Sequence, residues 1–337
     1  AVVNAIRNDQ YTPGAPLEGT AGVYTPSSLG TPQQIRRLYA QHHDEIKEEA
    51  VTRFWSLFGS AVHYILELGA ENVGEEHAEM RLFAPLHVPL DTNSSGIAGT
   101  MWTISGLIDN STTDAINDYK VTSSWTILNG GRDEWEWQTN VYAWLKRHAT
   151  HVQHDPDGPV LPYEDQSAVE RITIWPMLRD WSWRRAIESD KYPQTPIVEW
   201  PIRLLSDSVI EAYMRDRIVA HETEELIECT DEERWAKPST YVLRKAGSKR
   251  AVKVEDTISG LQRYIMDKDI PAVDPGFKSG FGTVETDFDE GLDKGMYYVL
   301  ERVGEQIRCA RYCPVVQWCE QAKELGVEPT MRAYGRV

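Results

Sequence analysis

Asp109, Asp118 and Lys120 fall within one short stretch, Ile104-Ser-Gly-Leu-Ile-Asp-Asn-Ser-Thr-Thr-Asp-Ala-Ile-Asn-Asp-Tyr-Lys120, whose pattern suits a β-hairpin better than any other local structure. Side chains alternate faces along a strand, so Ile116, Asp118 and Lys120 share one face while Asn117 and Tyr119 point away. The apolar run from Trp102 to Ile108 predicts a second strand ending in Asp109, and the polar residues Asn110 to Thr113 suit a turn between the two. Two carboxylates and an amine are then delivered to one locus. Hard oxygen donors favour Mg²⁺ or Mn²⁺ over metals that prefer nitrogen or sulfur. A neighbouring ammonium can orient an attacking water and neutralise charge developing on a phosphate oxygen. Taken alone, the D-x8-D-x-K spacing reads first as an ordinary hairpin with solvent-facing charges, because short motifs recur by chance.

The flanking residues change that reading. Gly59-Ser-Ala-Val-His63 lies upstream and Gln138-Thr-Asn-Val-Tyr142 downstream, giving the order G-x3-H, E, G-x-I-D, D-Y-K, Q-x3-Y over about residues 50 to 150. This order resembles the RecB-type branch of the PD-(D/E)xK nuclease superfamily, and the helix expected near Thr31 is similar to that family's opening helix. The resemblance implies a restriction-endonuclease-like α/β core in which Asp109 and Asp118 bind the catalytic metal with the Tyr119 carbonyl. It implies that Lys120 serves the hydrolytic water and that His63 is an additional metal ligand. Glu79 sits where an acidic residue of the first strand assists, and Gln138 and Tyr142 match the helix motif that lines the site and contacts DNA. The proline of the superfamily name is replaced by Ile108, as is usual in this branch.

Each flanking residue also has a plainer reading. His63 lies in a stretch rich in Phe54, Trp55, Leu57, Phe58, Ile65 and Leu66, where a packed histidine is common. Gln138 and Tyr142 are one helical turn apart and share a face, as any core-edge pair would. Glu79 competes with Glu75, Glu76 and Asp91, or is a solvated strand-edge charge.

Four cysteines form a second signal. Cys309-Ala-Arg-Tyr-Cys313-Pro-Val-Val-Gln-Trp-Cys319 is a compact C-x3-C-x5-C cluster, and Cys229 is the remaining cysteine. In a reducing compartment, clustered thiols favour a metal centre over disulfides, and this spacing suits zinc or an iron-sulfur cluster. Four unconnected buried thiols are the alternative. The arrangement resembles the 4Fe-4S staple of AddB-type helicase-nucleases and of CRISPR-adaptation nucleases, although there the fourth cysteine usually precedes the nuclease motifs. The tail also resembles that of phage exonucleases, which pair a mid-chain cysteine with a C-terminal trio. That likeness favours 4Fe-4S, with Zn as the alternative.

The 337 residues suffice for a substantial core, either as one elaborated domain or with an accessory domain. No apolar run of membrane-spanning length and no secretion signal is visible, so the expectation is a cytoplasmic protein, and the resemblance implies a bacterial cell or phage-infected host. A formal charge of -17 argues against a nonspecific DNA coat. A locally basic cleft on an acidic body is compatible with a narrow site for a DNA end or single strand. Its candidates are Arg36, Arg37, Arg53, Arg184, Arg185 and the run Arg244-Lys-Ala-Gly-Ser-Lys-Arg250, although such clusters are commonly solvated faces. Most of the twelve tryptophans are expected in the core, while Trp125, Trp135 and Trp137 flank the motifs, where one could stack on an unpaired base.

The expected organisation is an extended arm over 1–30, a nuclease core over 31–205 and a helical and hairpin extension over 206–337 that carries the four-cysteine staple. Strands are expected near 79–88, 99–109, 114–121 and 169–177, with helices near 133–149 and from Ser206 to Ile227 and a hairpin about Ala246-Gly-Ser248. The function implied is a metal-dependent DNA exonuclease of phage or bacterial recombination and repair. The alternatives are a CRISPR-adaptation-type single-strand nuclease and a DNA-end-binding scaffold subunit that keeps the fold for binding. DNA ends or single strands would be the substrate, and a recombinase, an annealing protein or a helicase the protein partner, with no membrane involved.

Overall fold

A computed structural model describes residues 14–46, 54–73, 78–89, 99–155, 157–248, 250–270, 273–280 and 292–328. The first thirteen residues, Arg53, Glu75, Glu76, Asp91 and Lys249 lie outside that set. The chain divides into two compact units, one formed by Ala1–Arg36 and Glu48–Ile227, the other by Arg37–Lys47 and Glu228–Val337.

The first unit is built in chain order from β1 (Val23–Tyr24), α1 (Pro26–Gly30), the start of α2 (Gln33–His42), α3 (Phe54–Val73), β2 (Ala78–Val88), β3 (Thr100–Ser111) and β4 (Ala115–Thr122). There follow α4 (Ser124–Leu128), α5 (Asp133–His148), β5 (His151–Gln153), β6 (Leu161–Pro162), β7 (Arg171–Leu178), α6 (Trp183–Glu188), β8 (Trp200–Ile202) and α7 (Asp207–Glu222). The strands form one mixed sheet in the order β6-β5-β2-β3-β4-β7-β8, with β1 added to β3. The pairs β1–β3 and β4–β7 are parallel, and the other pairs are antiparallel. This is the mixed α/β sheet flanked by helices that the sequence pattern implies.

The helices bury their apolar stripes on this sheet. Val141 and Leu145 of α5 meet Ile104 and Ile108 of β3, and Ile210, Met214 and Ile218 of α7 join the same core. Spacing of four residues keeps that last trio on one face. Helix α5 also complements its own dipole, with Asp133, Glu134 and Glu136 in its first turn and Lys146, Arg147 and His148 in its last. Because α7 shares the core of the sheet, the boundary between units falls after Ile227 rather than after residue 205. A second correction concerns the expected arm. Within it, Val23–Tyr24 pairs with Thr103–Ile104, and Thr25 caps α1 in a reciprocal capping box with Ser28. Tyr24 and Leu29 are fully buried, so this segment is part of the core.

The second unit carries α8 (Asp231–Arg234), β9 (Ala236–Lys237), β10 (Thr240–Lys245), β11 (Lys253–Glu255), α9 (Ile258–Asp267), β12 (Val273–Gly280), β13 (Tyr297–Arg302), β14 (Glu305–Gln306), α10 (Ile307–Arg311) and α11 (Glu320–Glu324). Four of its strands order as β11-β10-β13-β12, and β14 pairs with β9. The expected hairpin is present, with Leu243 opposite Lys253. Among the described residues, no helix is long and apolar enough to cross a membrane.

Candidate active site

Strands β3 and β4 pair at Asn110–Asn117 and Ser111–Ile116 and then part, while β4 continues beside β7 over its whole length. The parting opens room between them. Asp109 fills it by accepting a hydrogen bond from the backbone N–H of Tyr119 at 2.7 Å, a donor that a continued ladder would have engaged. On the preceding residue of β4, Asp118 is 1 % exposed. Its Oδ2 accepts no aligned hydrogen bond although Lys120 Nζ lies 2.8 Å away, and its Oδ1 takes a hydrogen bond from the same ammonium at 3.1 Å. Alternation along the strand therefore places Asp118 and Lys120 on one face.

Helix α3 brings His63 to this point. Its Nε2 lies 3.1 Å from the Tyr119 carbonyl, and its Nδ1 lies 3.4 Å from Asp109 Oδ1 and 3.5 Å from Glu79 Oε1. His63, Glu79 and Asp109 thus offer one ligand atom each within 4.8 Å of one another. Glu79 reaches the cluster through an unusual backbone. Its φ is 46°, in the left-handed region, and the β2–β3 register passes from Ala78–Asn110 to Met80–Ile108 on either side of it.

The electrostatics follow from burial and crowding. Burial pushes the Asp118 carboxyl up to about 6, against the attraction of Lys120 and with the help of the Asp109 charge. Burial alone would lower Lys120, but the charges of Asp118 and Asp109 outweigh it and hold the ammonium above its ordinary value. Burial likewise opposes the imidazolium of His63, yet hydrogen bonding and charge from Asp109 and Glu79 raise it to about 10. Three acidic groups and two bases share a site with too little internal positive charge to settle all three carboxylates. A divalent cation suits that donor set, and Oδ2 of Asp118, which accepts no aligned hydrogen bond, is a ready ligand atom. Neighbouring ligands of octahedral Mg²⁺ sit about 3.0 Å apart, given bonds of ~2.1 Å, and the separations of His63 Nδ1 from Asp109 and Glu79, 3.4 and 3.5 Å, approach that value, while Nε2 of the same ring faces the Tyr119 carbonyl.

Gln138 and Tyr142 lie one turn apart on α5, with Gln138 Nε2 donating to the Tyr142 hydroxyl at 2.9 Å. The Tyr142 ring packs on Gly106 of β3, where a Cβ would come within 2.9 Å of it and 2.7 Å of Leu145. Glycine is thus required for α5 to lie this close to the strand that carries Asp109. Sequence reasoning passed over Lys146, one turn beyond Tyr142 and fully buried, whose ammonium donates to the Thr112 carbonyl in the turn between β3 and β4. Its spacing of four from Tyr142 was the available signal.

The basic candidates separate. Arg36 lies over the Tyr24 ring at 4.5 Å, and Arg244 is buried and donates to the Ser248 carbonyl at 2.9 Å. Neither is a phosphate-facing surface. Arg184 and Arg185 are exposed, and exposed Arg132 is close enough to Lys120 to oppose its charge.

All four cysteines belong to the second unit, are buried and form no disulfide. No three of their sulfurs lie within 4.8 Å of one another. Burial raises the Cys229 thiol to about 12, with Glu233 and then Cys309, Cys313 and Cys319 adding to the effect, and raises Cys313 to about 11. The peptide of Cys229 is held from both sides by one side chain. Its N–H donates to Gln321 Oε1 at 3.1 Å and its carbonyl accepts from Gln321 Nε2 at 2.9 Å, two residues beyond Cys319.

No family model matches this chain, and no curated protein matches it. Among solved structures, the crystal structure of SSO0001 is similar over 64 % of this chain and 82 % of that one, with 14 % identity and a TM-score of 0.39.

Proposed function

We propose that this protein is a Mg²⁺- or Mn²⁺-dependent deoxyribonuclease, an exonuclease of the RecB-type PD-(D/E)xK kind acting in phage or bacterial recombination and repair. The observation that carries the reading is the convergence of His63, Glu79 and Asp109 with ligand atoms within 4.8 Å, beside the buried Asp118–Lys120 pair. The sheet around β3 and β4 is then a restriction-endonuclease-like core. Asp109, Asp118, His63 and the Tyr119 carbonyl would hold the ion, with Glu79 completing the set. A bound divalent ion supplies charge for a phosphate oxygen and lowers the pKa of water.

The chain's own groups do the rest. Asp118 keeps Lys120 protonated and fixed, so its ammonium faces a developing phosphate charge without reorganising. Burial of Asp118 excludes bulk water from that pair and strengthens their interaction. Gln138 and Tyr142, bonded to each other on α5, present a fixed pair of polar groups toward DNA.

In the same reading the four thiols hold a 4Fe-4S cluster, and the second unit is the cysteine-bearing extension. Four reduced, buried cysteines supply the donor set of such a cluster, and the Gln321 clamp supports a role for Cys229 with the C-terminal trio.

End-labelled single- and double-stranded DNA, incubated with and without Mg²⁺, tests the main reading. The expected result is stepwise shortening from an end that needs the metal and disappears in Asp118→Asn. Uncut DNA under all metals, or cutting unaffected by Asp118→Asn, overturns it. Metal analysis of anaerobically purified protein tests the cluster, and the absence of iron would remove it while leaving the nuclease reading in place.

A further inference from the structure

Of the three tryptophans that flank the motifs, two are committed to packing. Trp135 is buried with its ring edge-on to Trp200 at 6.4 Å, and Trp137 stacks on Tyr213 at 4.3 Å. Trp125 is 61 % exposed, and Trp183, which the motif pattern did not single out, is 69 % exposed. An indole ring left this open forfeits much of the burial that usually places tryptophan inside. Trp125 lies in the first turn of α4 and Trp183 opens α6.

A single buried phenol links the two positions. The Tyr192 hydroxyl is 2.8 Å from Ser124 Oγ and accepts from the Ser182 N–H at 3.0 Å, so Trp125 and Trp183 each stand one residue past an atom bound to the same oxygen. Asp180 locks the arrangement by accepting from the Ser124 N–H at 2.6 Å and from its hydroxyl at 2.9 Å. Trp125 also follows Lys120 on the same chain by five residues, a span of at most ~18 Å. Trp125 therefore lies within that reach of the strand that carries Asp118 and Lys120. Cations border it. Arg179, between β7 and α6, covers the half-exposed ring of Trp55 at 4.3 Å, and exposed Arg132 acts on the charge of Lys120.

Exposed indole faces interleaved with arginine fit one kind of partner. We infer that Trp125 and Trp183 form a stacking shelf for the unpaired bases of a DNA strand whose phosphates are met by Arg132 and Arg179 as it runs to Lys120. Aromatic faces accept any base, since every base offers a π-face, while arginines follow the backbone. The inference rests on the nuclease reading for the strand's destination, and it adds that the site takes separated strands rather than paired bases.

The test is binding without divalent metal, in chelator, so that it does not depend on cleavage. Fluorescein-labelled oligo(dT), an abasic strand of equal length and a blunt duplex are titrated against wild type, Trp125→Leu/Trp183→Leu and Trp125→Tyr/Trp183→Tyr, after circular dichroism shows each folded. Wild type should prefer oligo(dT) to the abasic strand by roughly tenfold or more, the leucine pair should lose that preference, and the tyrosine pair should keep most of it. Duplex binding should be equal in all three. If the leucine pair discriminates oligo(dT) from the abasic strand as wild type does, or if duplex binding falls in parallel, the shelf is overturned. Intact discrimination in a protein that cuts no DNA would leave the shelf standing and remove the nuclease reading instead. Should the leucine pair fail to fold, the tyrosine pair and the wild-type comparison of oligo(dT) with the abasic strand still decide the matter, because a wild type without preference has no shelf.

Discussion

Asp109 divides its carboxylate between two neighbours, one oxygen taking the Tyr119 N–H at 2.7 Å and the other facing His63 Nδ1 at 3.4 Å. The first contact is structural and survives as long as an acceptor remains; the second requires charge. Asp109→Asn should therefore keep a folded hairpin, since its amide oxygen can still accept from Tyr119, while cleavage falls by at least a hundredfold for want of an anionic ligand, an order typical of losing a charge that stabilises the transition state. Thermal melting beside a cleavage assay separates the two effects.

Asp118 behaves differently because its partner is buried with it. Alanine there leaves the Lys120 ammonium without its counter-charge and should cost ~3 kcal/mol of stability. Asp118→Asn should cost less than Asp118→Ala and abolish cleavage equally. Urea unfolding of wild type and the two variants checks the order, and variants as stable as wild type would show that the pair contributes nothing to the fold.

His63 carries a pH prediction. In the metal-free protein it faces Glu79 and Asp109 and is held at about 10, above the ordinary 6.5 of an imidazole, with Asp118 and Lys120 as the other charges nearby. The stability it contributes is complete below about 6.5 and lost as pH rises through about 10. The melting-temperature gap between metal-free wild type and His63→Gln should accordingly narrow from pH 6 to pH 10. Binding of Mg²⁺ at pH 8 should release close to one proton, because a coordinating imidazole nitrogen must give up its hydrogen. Calorimetry in two buffers of different ionisation enthalpy measures this, and no release would remove His63 from the ligand set.

Gly106→Ala should separate α5 from β3, since the new methyl would meet Leu145 and Tyr142 at 2.7 and 2.9 Å. Overpacking of this kind costs roughly 1–3 kcal/mol. Cleavage should fall as well, because the same helix aligns Gln138 and Tyr142 over the strand of Asp109.

In the second unit, Gln321→Leu removes both hydrogen bonds to the Cys229 peptide and should destabilise by about 1–3 kcal/mol. If the four thiols hold iron, the variant should also retain less of it, and combining it with Cys229→Ser should cost much less than the two losses added. Iron content per protein and unfolding free energies provide the measurements.

The hairpin was legible because its signals are local: strand alternation put Asp118 and Lys120 on one face, and a short polar turn brought Asp109 alongside. Tyr24 and Leu29 were not legible as core, since Tyr24 is buried where its strand pairs with Ile104, far along the chain, and Leu29 joins the same core from α1. The run from Arg244 to Arg250 looked like an exposed basic patch, yet Arg244 ends a stretch of β10 in which Val242, Leu243 and Arg244 are all buried. Trp183 escaped notice for a related reason. It lies some sixty residues from Trp125 in sequence, and only the parallel pairing of β4 with β7 brings their loops to the same edge.

Glu79 sits at φ 46°, a conformation that a side-chain-bearing residue enters at a cost of order 1 kcal/mol or more. Glycine at that position would relax the backbone and remove a carboxylate from a crowded acidic cluster, both of which favour the metal-free fold. The sequence most resistant to unfolding and the sequence best able to hold a cation are thus different sequences, parted at one torsion angle. A library of this chain selected only for heat resistance should drift toward glycine or asparagine at 79, whereas one selected for metal-dependent turnover should keep the acid.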